Sequence, residues 1–266
     1  MERLVRDGVG LAYLEVGSGE PPLLLVHGWL CDHTYLAPQI EHFSQQHRVV
    51  AVDLRGHGAS DTPLQEYSMA ALADDLAWLC EQLDIQHPVV IAHSMGGLVA
   101  LELLMRAPNL PRAIVALDSP ILMPDARFSH LQALGPLLEG PDYRGEVQGM
   151  VRGMFLPTDD AQRRGRIVEQ MSSVPQHVML GAFQGMFGTV AASATHGPPI
   201  PVPLLAVASA GGHMADLERL RQLCPQVTIG QTVGAGHFHQ LDVPDQINAM
   251  IERFLALTLP GSSPAA

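Results

Sequence analysis

The chain has 266 residues, 47% of them hydrophobic and 16% charged, with 15 Lys+Arg against 27 Asp+Glu and a formal net charge of −12. A chain this long buries roughly three quarters of its unfolded surface, so it needs no disulfide or metal staple, and its low charge content excludes a disordered chain. The acidic balance leaves no basic surplus to neutralise phosphates, which argues against DNA, RNA or an anionic membrane as partner. Cys31, Cys80 and Cys224 are widely spaced, form no CxxC pair and fit a reducing compartment. The N-terminal MERLVRDGVG lacks the apolar core of a signal peptide, and no run reaches about 18 uncharged apolar residues. The expectation is a cytoplasmic protein without a membrane span.

In chain order, 9–17 alternates like an early antiparallel strand, and 22–28 (PLLLVHG) is continuously apolar, as a strand covered on both faces is. A helical pattern near 34–46 leads to a second buried strand, 48–54 (RVVAVDL). The segment 68–83 reads as a helix, with Ser68 as N-cap and Leu72, Leu76, Leu79 and Leu83 at helical spacing. A buried strand at 88–94 (PVVIAHS), a helix at 95–108 stopped by Pro108, and a strand at 113–119 (AIVALDS) follow. Strands alternating with helices predict parallel βαβ units, hence an α/β fold.

From 120 to 200 the rhythm breaks. Helical fragments near 128–138, 144–154 and 160–172 carry scattered Met and Phe, and no buried strand intervenes. Strand–helix alternation resumes at 203–209, 215–223, 227–233 and 244–257, and the tail PGSSPAA reads as frayed. The predicted organisation is one core domain, 1–119 with 201–266, and a helical cap insertion at 120–200.

Ser94 lies in IAHSMGG, between a buried strand and a helix. A sharp strand-to-helix turn there exposes the hydroxyl, and small residues on either side (Ala92, Gly96, Gly97) let strand and helix approach. The plainer alternative is a tight turn whose serine only caps a helix.

Four stretches, LLLVHGW at 23–29, VVAVDLRGHGAS at 49–60, VVIAHSMGG at 89–97 and GAGHFHQLDVP at 234–244, resemble landmarks of the α/β-hydrolase fold superfamily. The resemblance runs over essentially the whole chain. It implies a mostly parallel eight-stranded sheet with a helical cap and a Ser–His–acid site. Ser94 is then the nucleophile and His237 the general base, with His239 the competing histidine. His93 is expected to turn away from the pocket, and His27 and His57 to serve structural hydrogen bonds.

Where much of the superfamily carries its acid, this chain reads AVASAGGHMAD, with Gly211, Gly212 and His213 at the expected spot. Asp118, ending the preceding strand, is the favoured acid. Its position matches branches that include C–C bond hydrolases, dehalogenases and cofactor-independent dioxygenases. Asp216 reads better as a first-turn helix acid, and Asp53 as an anchor for its own Gly-rich turn. The resemblance assigns the oxyanion hole to the backbone N–H groups of Trp29 and Met95.

Trp29, Met123, Phe155, Phe187 and Phe238 are the candidate substrate-binding residues, although most Met and Phe of the insertion would equally form its own core. Cys31, Asp32 and His33 follow the first landmark closely enough to border the pocket. No GxGxxG, P-loop or HExxH is present, so no nucleotide cofactor and no metal is expected. The functional expectation is a cofactor-free serine carboxylesterase acting on small to medium apolar esters. C–C bond hydrolysis of a diketone or dienoic substrate and cofactor-independent ring-cleaving dioxygenation are the alternatives, and a ligand-sensing receptor is a further one.

Overall fold

The structure is a computed structural model, and it describes residues 1–195, 200–212 and 214–259. The strands are β1 (Glu2–Arg6), β2 (Val9–Val16), β3 (Leu23–Val26), β4 (Val49–Asp53), β5 (Val89–His93), β6 (Ala113–Leu117), β7 (Leu204–Ala208) and β8 (Thr228–Gln231). They form one eight-stranded sheet in the order β1-β2-β4-β3-β5-β6-β7-β8. β1, β2 and β4 pair antiparallel, and every pairing from β4 onward is parallel. The mostly parallel α/β sheet is as the sequence pattern predicts.

The apolar strand runs are explained by two cores. Leu24, Val26, Val90, Ala92, Ile114 and Ala116 point into one, and the residues between them, Leu23, Leu25, Val89, Ile91, Val115 and Leu117, into the other. Side chains of successive strand residues alternate between faces, so a strand buried on both must be apolar throughout. The helices α1 (Ala37–Phe43) and α11 (Pro244–Thr258) cover the second face through Ile40, Phe43, Ile247, Ile251 and Phe254. On the first face lie α2 (Met69–Gln82) and α3 (Met95–Arg106). Ser68 caps α2 by accepting from the Ala71 amide, as the spacing predicts.

Between β6 and β7 the chain forms α4 (Asp125–Gln132), α5 (Gly135–Glu139), α6 (Tyr143–Arg152), α7 (Ala161–Ser172) and α8 (Gln176–Thr195). The fragment expected at 128–138 is two helices, and the 20-residue α8 has no counterpart in the sequence reading. α8 packs on α2 and α3, and Val151, Met171, Val178 and Phe183 join the same core as the upper face of the sheet. After β7 come α9 (Leu217–Leu223), β8, α10 (His239–Asp242) and α11. The tail 260–266 lies outside the described residues.

β1 carries no apolar pattern that would mark it as a strand in the sequence. Glu2, Arg3 and Arg6 leave no apolar run, because β1 is an exposed edge held by its antiparallel ladder to β2. Among the described residues no helix is long and apolar enough to cross a membrane.

Several histidines are buried neutral, which sets a stability expectation. Burial lowers His57 to about 3 and His239 to about 4, well below the ordinary histidine value of about 6.5. The unfolded chain therefore takes up protons below about pH 6.5 that the folded chain refuses, so stability is full above that pH and falls as pH drops toward the folded values. His57→Gln is expected to flatten the fall by on the order of 1 kcal/mol per pH unit, read from urea midpoints between about pH 7 and 5. An unchanged slope would contradict a neutral buried His57.

Candidate active site

Ser94 sits at the joint of β5 and α3 with φ +51° and ψ −122°, a conformation that costs a non-glycine residue on the order of 1–3 kcal/mol. The close packing around the joint holds it there. A Cβ on Gly96 would come within 2.6 Å of the Val26 and His27 carbonyl oxygens, and one on Gly97 within 2.2 Å of Ser119 Oγ. Only glycine fits either place. Asp118, just after β6, also has positive φ, +42°. Both strand ends that carry reactive side chains thus hold a non-glycine residue at positive φ.

His237 lies in the loop between β8 and α10. Its Nε2 is 3.0 Å from Ser94 Oγ and its Nδ1 is 2.7 Å from Asp118 Oδ2. The structure thus brings together the three residues singled out from the sequence, all of them buried. Burial pushes the Asp118 carboxyl up, but its bond to His237 and the charges around it outweigh this and hold it below the usual carboxylate range. The Ser209 amide adds a longer contact to Asp118 Oδ1 at 3.3 Å. An ionised Asp118 keeps the proton of His237 on Nδ1 and leaves Nε2 free to accept from the serine hydroxyl.

The competing residues lie elsewhere. His239 bonds Thr232 Oγ1 at 3.0 Å, and Asp216 caps α9 by accepting from the Arg219 amide. Asp53 accepts from the Ala59 and His33 amides and holds the His33 ring at 2.8 Å, so His33 is occupied away from Ser94. Asp32 caps the turn His33–Leu36 and accepts from Gln170. His27 takes the Leu54 amide and bonds Gly28 O, while His57 bonds Arg55 O. Burial raises the Cys31 thiol well above its ordinary value, which leaves it unreactive. His213 lies outside the described residues.

The Trp29 and Met95 amides have no hydrogen-bond partner among the described residues, Met95 because it opens α3 and Trp29 because its loop turns at Gly28. Orphan N–H groups of this kind favour a developing negative charge. The Trp29 indole donates to Met179 O at 3.1 Å and packs on Phe183, which tethers this loop to α8.

The five candidate pocket residues divide. Trp29 and Phe187 share an aromatic cluster with Phe183 and Phe128. Phe155 stacks on Phe238 at 5.1 Å, and Phe155 also borders a cleft of about 110 Å³ that reaches His237 and Asp118. Phe238 is fully enclosed by Tyr35, His93, His237 and Phe155, so it shapes the site from behind and offers a ligand no surface. Met123, at the start of the insertion, is buried in the core that the insertion shares with the sheet.

Two neighbours of His237 hold its loop, and of these Asp159 carried no sign in the sequence. The His93 ring packs at a tilt against the His237 ring, 4.7 Å between centroids, and its Nε2 donates to the His237 carbonyl at 3.0 Å. Its side chain does turn from the serine, but into the histidine loop. Asp159, between α6 and α7, accepts from the Gly236 amide at 3.0 Å and the Leu156 amide at 2.7 Å, and Met154 O accepts from the His237 amide at 2.9 Å. A buried aspartate closing an LPTD turn carries no local signal that its partner lies about eighty residues on.

Asp159→Ala leaves the buried Gly236 N–H and the half-buried Leu156 N–H without an acceptor, at about 1–3 kcal/mol for a buried group. The expected result is a urea-unfolding loss of about 2–4 kcal/mol, with turnover falling alongside as the histidine loop loosens. A variant as stable as the parent would show that water replaces the carboxylate.

A family model described as alpha/beta hydrolase fold matches residues 21–148. Bifunctional epoxide hydrolase 2 of Mus musculus is 31% identical over 133 residues, which is 49% of this chain. The match spans only 24% of that mouse protein's length. Among solved structures, a thermophilic esterase from Thermogutta terrifontis superposes with a TM-score of 0.84 at 23% identity, covering 97% of this chain and 99% of the esterase. An esterase from Exiguobacterium antarcticum gives 0.82 at 18% identity, covering 94% and 96%. At these identities the likeness is one of fold.

Proposed function

Residues 21–148 match the alpha/beta hydrolase fold family, and on that premise we propose that the chain is a serine carboxylesterase acting on small to medium apolar esters. The observation that carries this reading is the unbroken chain from Ser94 Oγ through both nitrogens of His237 to Asp118, at 3.0 and 2.7 Å. A serine hydroxyl is a poor nucleophile until a base takes its proton during attack. His237 Nε2 is that base, and Asp118 stabilises the imidazolium that forms. The oxygen of the attacked carbonyl gains charge within reach of the Trp29 and Met95 amides, a contribution of about 3–4 kcal/mol per donor in comparable sites. His237 then passes its proton to the departing alcohol, and a water activated by the same nitrogen releases the acid.

C–C bond hydrolysis would use the same residues, with the proton going to carbon. Ring-cleaving dioxygenation would need only the His237–Asp118 pair. The serine held against His237 and the two unengaged amides favour acyl transfer over dioxygenation. The relatives' names add epoxide opening as an outcome to be measured.

The test is turnover of p-nitrophenyl esters from acetyl to dodecanoyl beside styrene oxide, with fluorophosphonate labelling read by peptide mass. Ester turnover and a single phosphonyl adduct on Ser94, with fluoride released, is the expected result. Epoxide opening without ester turnover, or a folded protein that leaves the probe intact, would overturn the assignment.

A further inference from the structure

The end of β7 carries Ser209, Gly211 and Gly212, small residues that leave a space beside the His237–Asp118 pair. That space is the cleft of about 110 Å³, walled by Phe155, Leu156 and Met214 and closed on one side by Arg127. Its walls are apolar apart from Arg127, Ser209 and the His237–Asp118 pair. At about 30 Å³ per water, it has room for three or four waters, or for a carboxylate with a short methylene stem.

Arg127, on α4, is half-buried. Its Nη1 lies 3.0 Å from Met214 Sδ, a weak acceptor, and its Nη2 lies 3.3 Å from where a Cβ on Gly212 would stand. Gly212 has φ +112°, a conformation that L side chains rarely adopt, and as glycine it leaves that space open. Arg127 holds no carboxylate at ion-pair distance among the described residues, and it is half-buried at the cleft. A guanidinium presents a planar fork of donors matched to a carboxylate. Here the fork faces a cleft that ends at the reacting histidine. Asp118 also lines that cleft, and its negative charge is offset in part by its bonds to the His237 ring and the Ser209 amide.

We propose that Arg127 binds a carboxylate carried by the substrate, so that the preferred ester is a half-ester with an apolar body and one free acid group a few bonds from the scissile carbonyl. This rests on the Ser94 acyl-transfer reading and adds a charged end to the apolar ester named there. The fork would orient the ester through two parallel hydrogen bonds, while Phe155 and Leu156 cover its methylenes.

Monoethyl glutarate and ethyl butyrate, followed by pH-stat with wild type, Arg127→Gln and Arg127→Lys, test it. Charge-assisted bonds of this kind correspond to about tenfold to hundredfold in binding, so Arg127→Gln should cost the half-ester about tenfold more in kcat/KM than it costs ethyl butyrate. The loss should fall mainly on KM, and Arg127→Lys should lie between the two. Calorimetric titration of glutarate into Ser94→Ala, with and without Arg127→Gln, gives a readout that needs no turnover. Binding lost with Arg127→Gln supports the carboxylate site even if no ester is cleaved, in which case only the esterase reading falls. Equal losses on both esters, no loss on either, or glutarate binding indifferent to Arg127 would overturn the proposal.

Discussion

Ser94→Ala should lower ester turnover by roughly 10⁴-fold or more while leaving the fold intact. The expectation follows from what the hydroxyl does and does not do. It contacts His237 at 3.0 Å and serves as no helix cap, since the Ser94 side chain makes no bond to the first turn of α3. Removing it therefore takes away the nucleophile without stripping a structural partner. The strained backbone at this position is imposed by the contacts of Gly96 and Gly97, which the substitution leaves in place. A melting temperature within a few degrees of the parent, with turnover and the phosphonyl adduct both gone, is the result to look for. Retained ester turnover would place the chemistry on another residue. Retained oxygen-dependent ring cleavage would favour the dioxygenase alternative, in which the serine is dispensable.

Asp118→Asn is the second large effect, expected at about 10⁴-fold in kcat with KM little changed. The carboxylate accepts the Nδ1–H of His237; an asparagine amide can instead donate to that nitrogen, which moves the ring proton to Nε2 and blocks acceptance from Ser94. Asp118 is ionised below the ordinary carboxylate range, so its pairing contributes fully above that range and is lost only as pH falls through its lowered folded value. The deficit of the variant should accordingly persist across neutral and mildly alkaline pH. Asp216→Asn is the matched control. Asparagine caps a helix about as well as aspartate, so α9 and the activity should both be retained. Comparable losses in the two variants, with folding intact, would remove Asp118 from its role.

The elements legible in the sequence are those whose cause is local. β3, β5 and β6 are short and wholly apolar because both faces are covered, and the pattern alone says so. α8 was illegible for the opposite reason. It is apolar nearly all round, with Gly181, Gly185 and Gly188 along it, so no amphipathic stripe marks a helix. Its stability comes from packing on α2 and α3, and a Cβ on Gly185 would meet the Tyr67 carbonyl at 2.6 Å. Aromatic residues were a poor guide to the pocket, because ring size reports that a side chain needs burial and not what buries it. Phe238 is enclosed by its neighbours, whereas Arg127, a polar residue on a helix with no buried side chain, borders the cleft.

The sequence by itself determined the α/β class, the strand-to-helix joint that presents Ser94, and a Gly-rich loop able to present His237, since each depends on residues within one short segment. Only the tertiary structure decided which acid and which histidine meet. Asp118 and His237 are far apart in the chain, and their 2.7 Å contact exists because β6 lies beside β7 and the loop after β8 folds back over both. Tertiary structure likewise tied that loop to Asp159 and Met154 of the insertion and set Arg127 beside the cleft. Backbone preferences act over a few residues, whereas these contacts depend on which distant segments the packed core leaves adjacent.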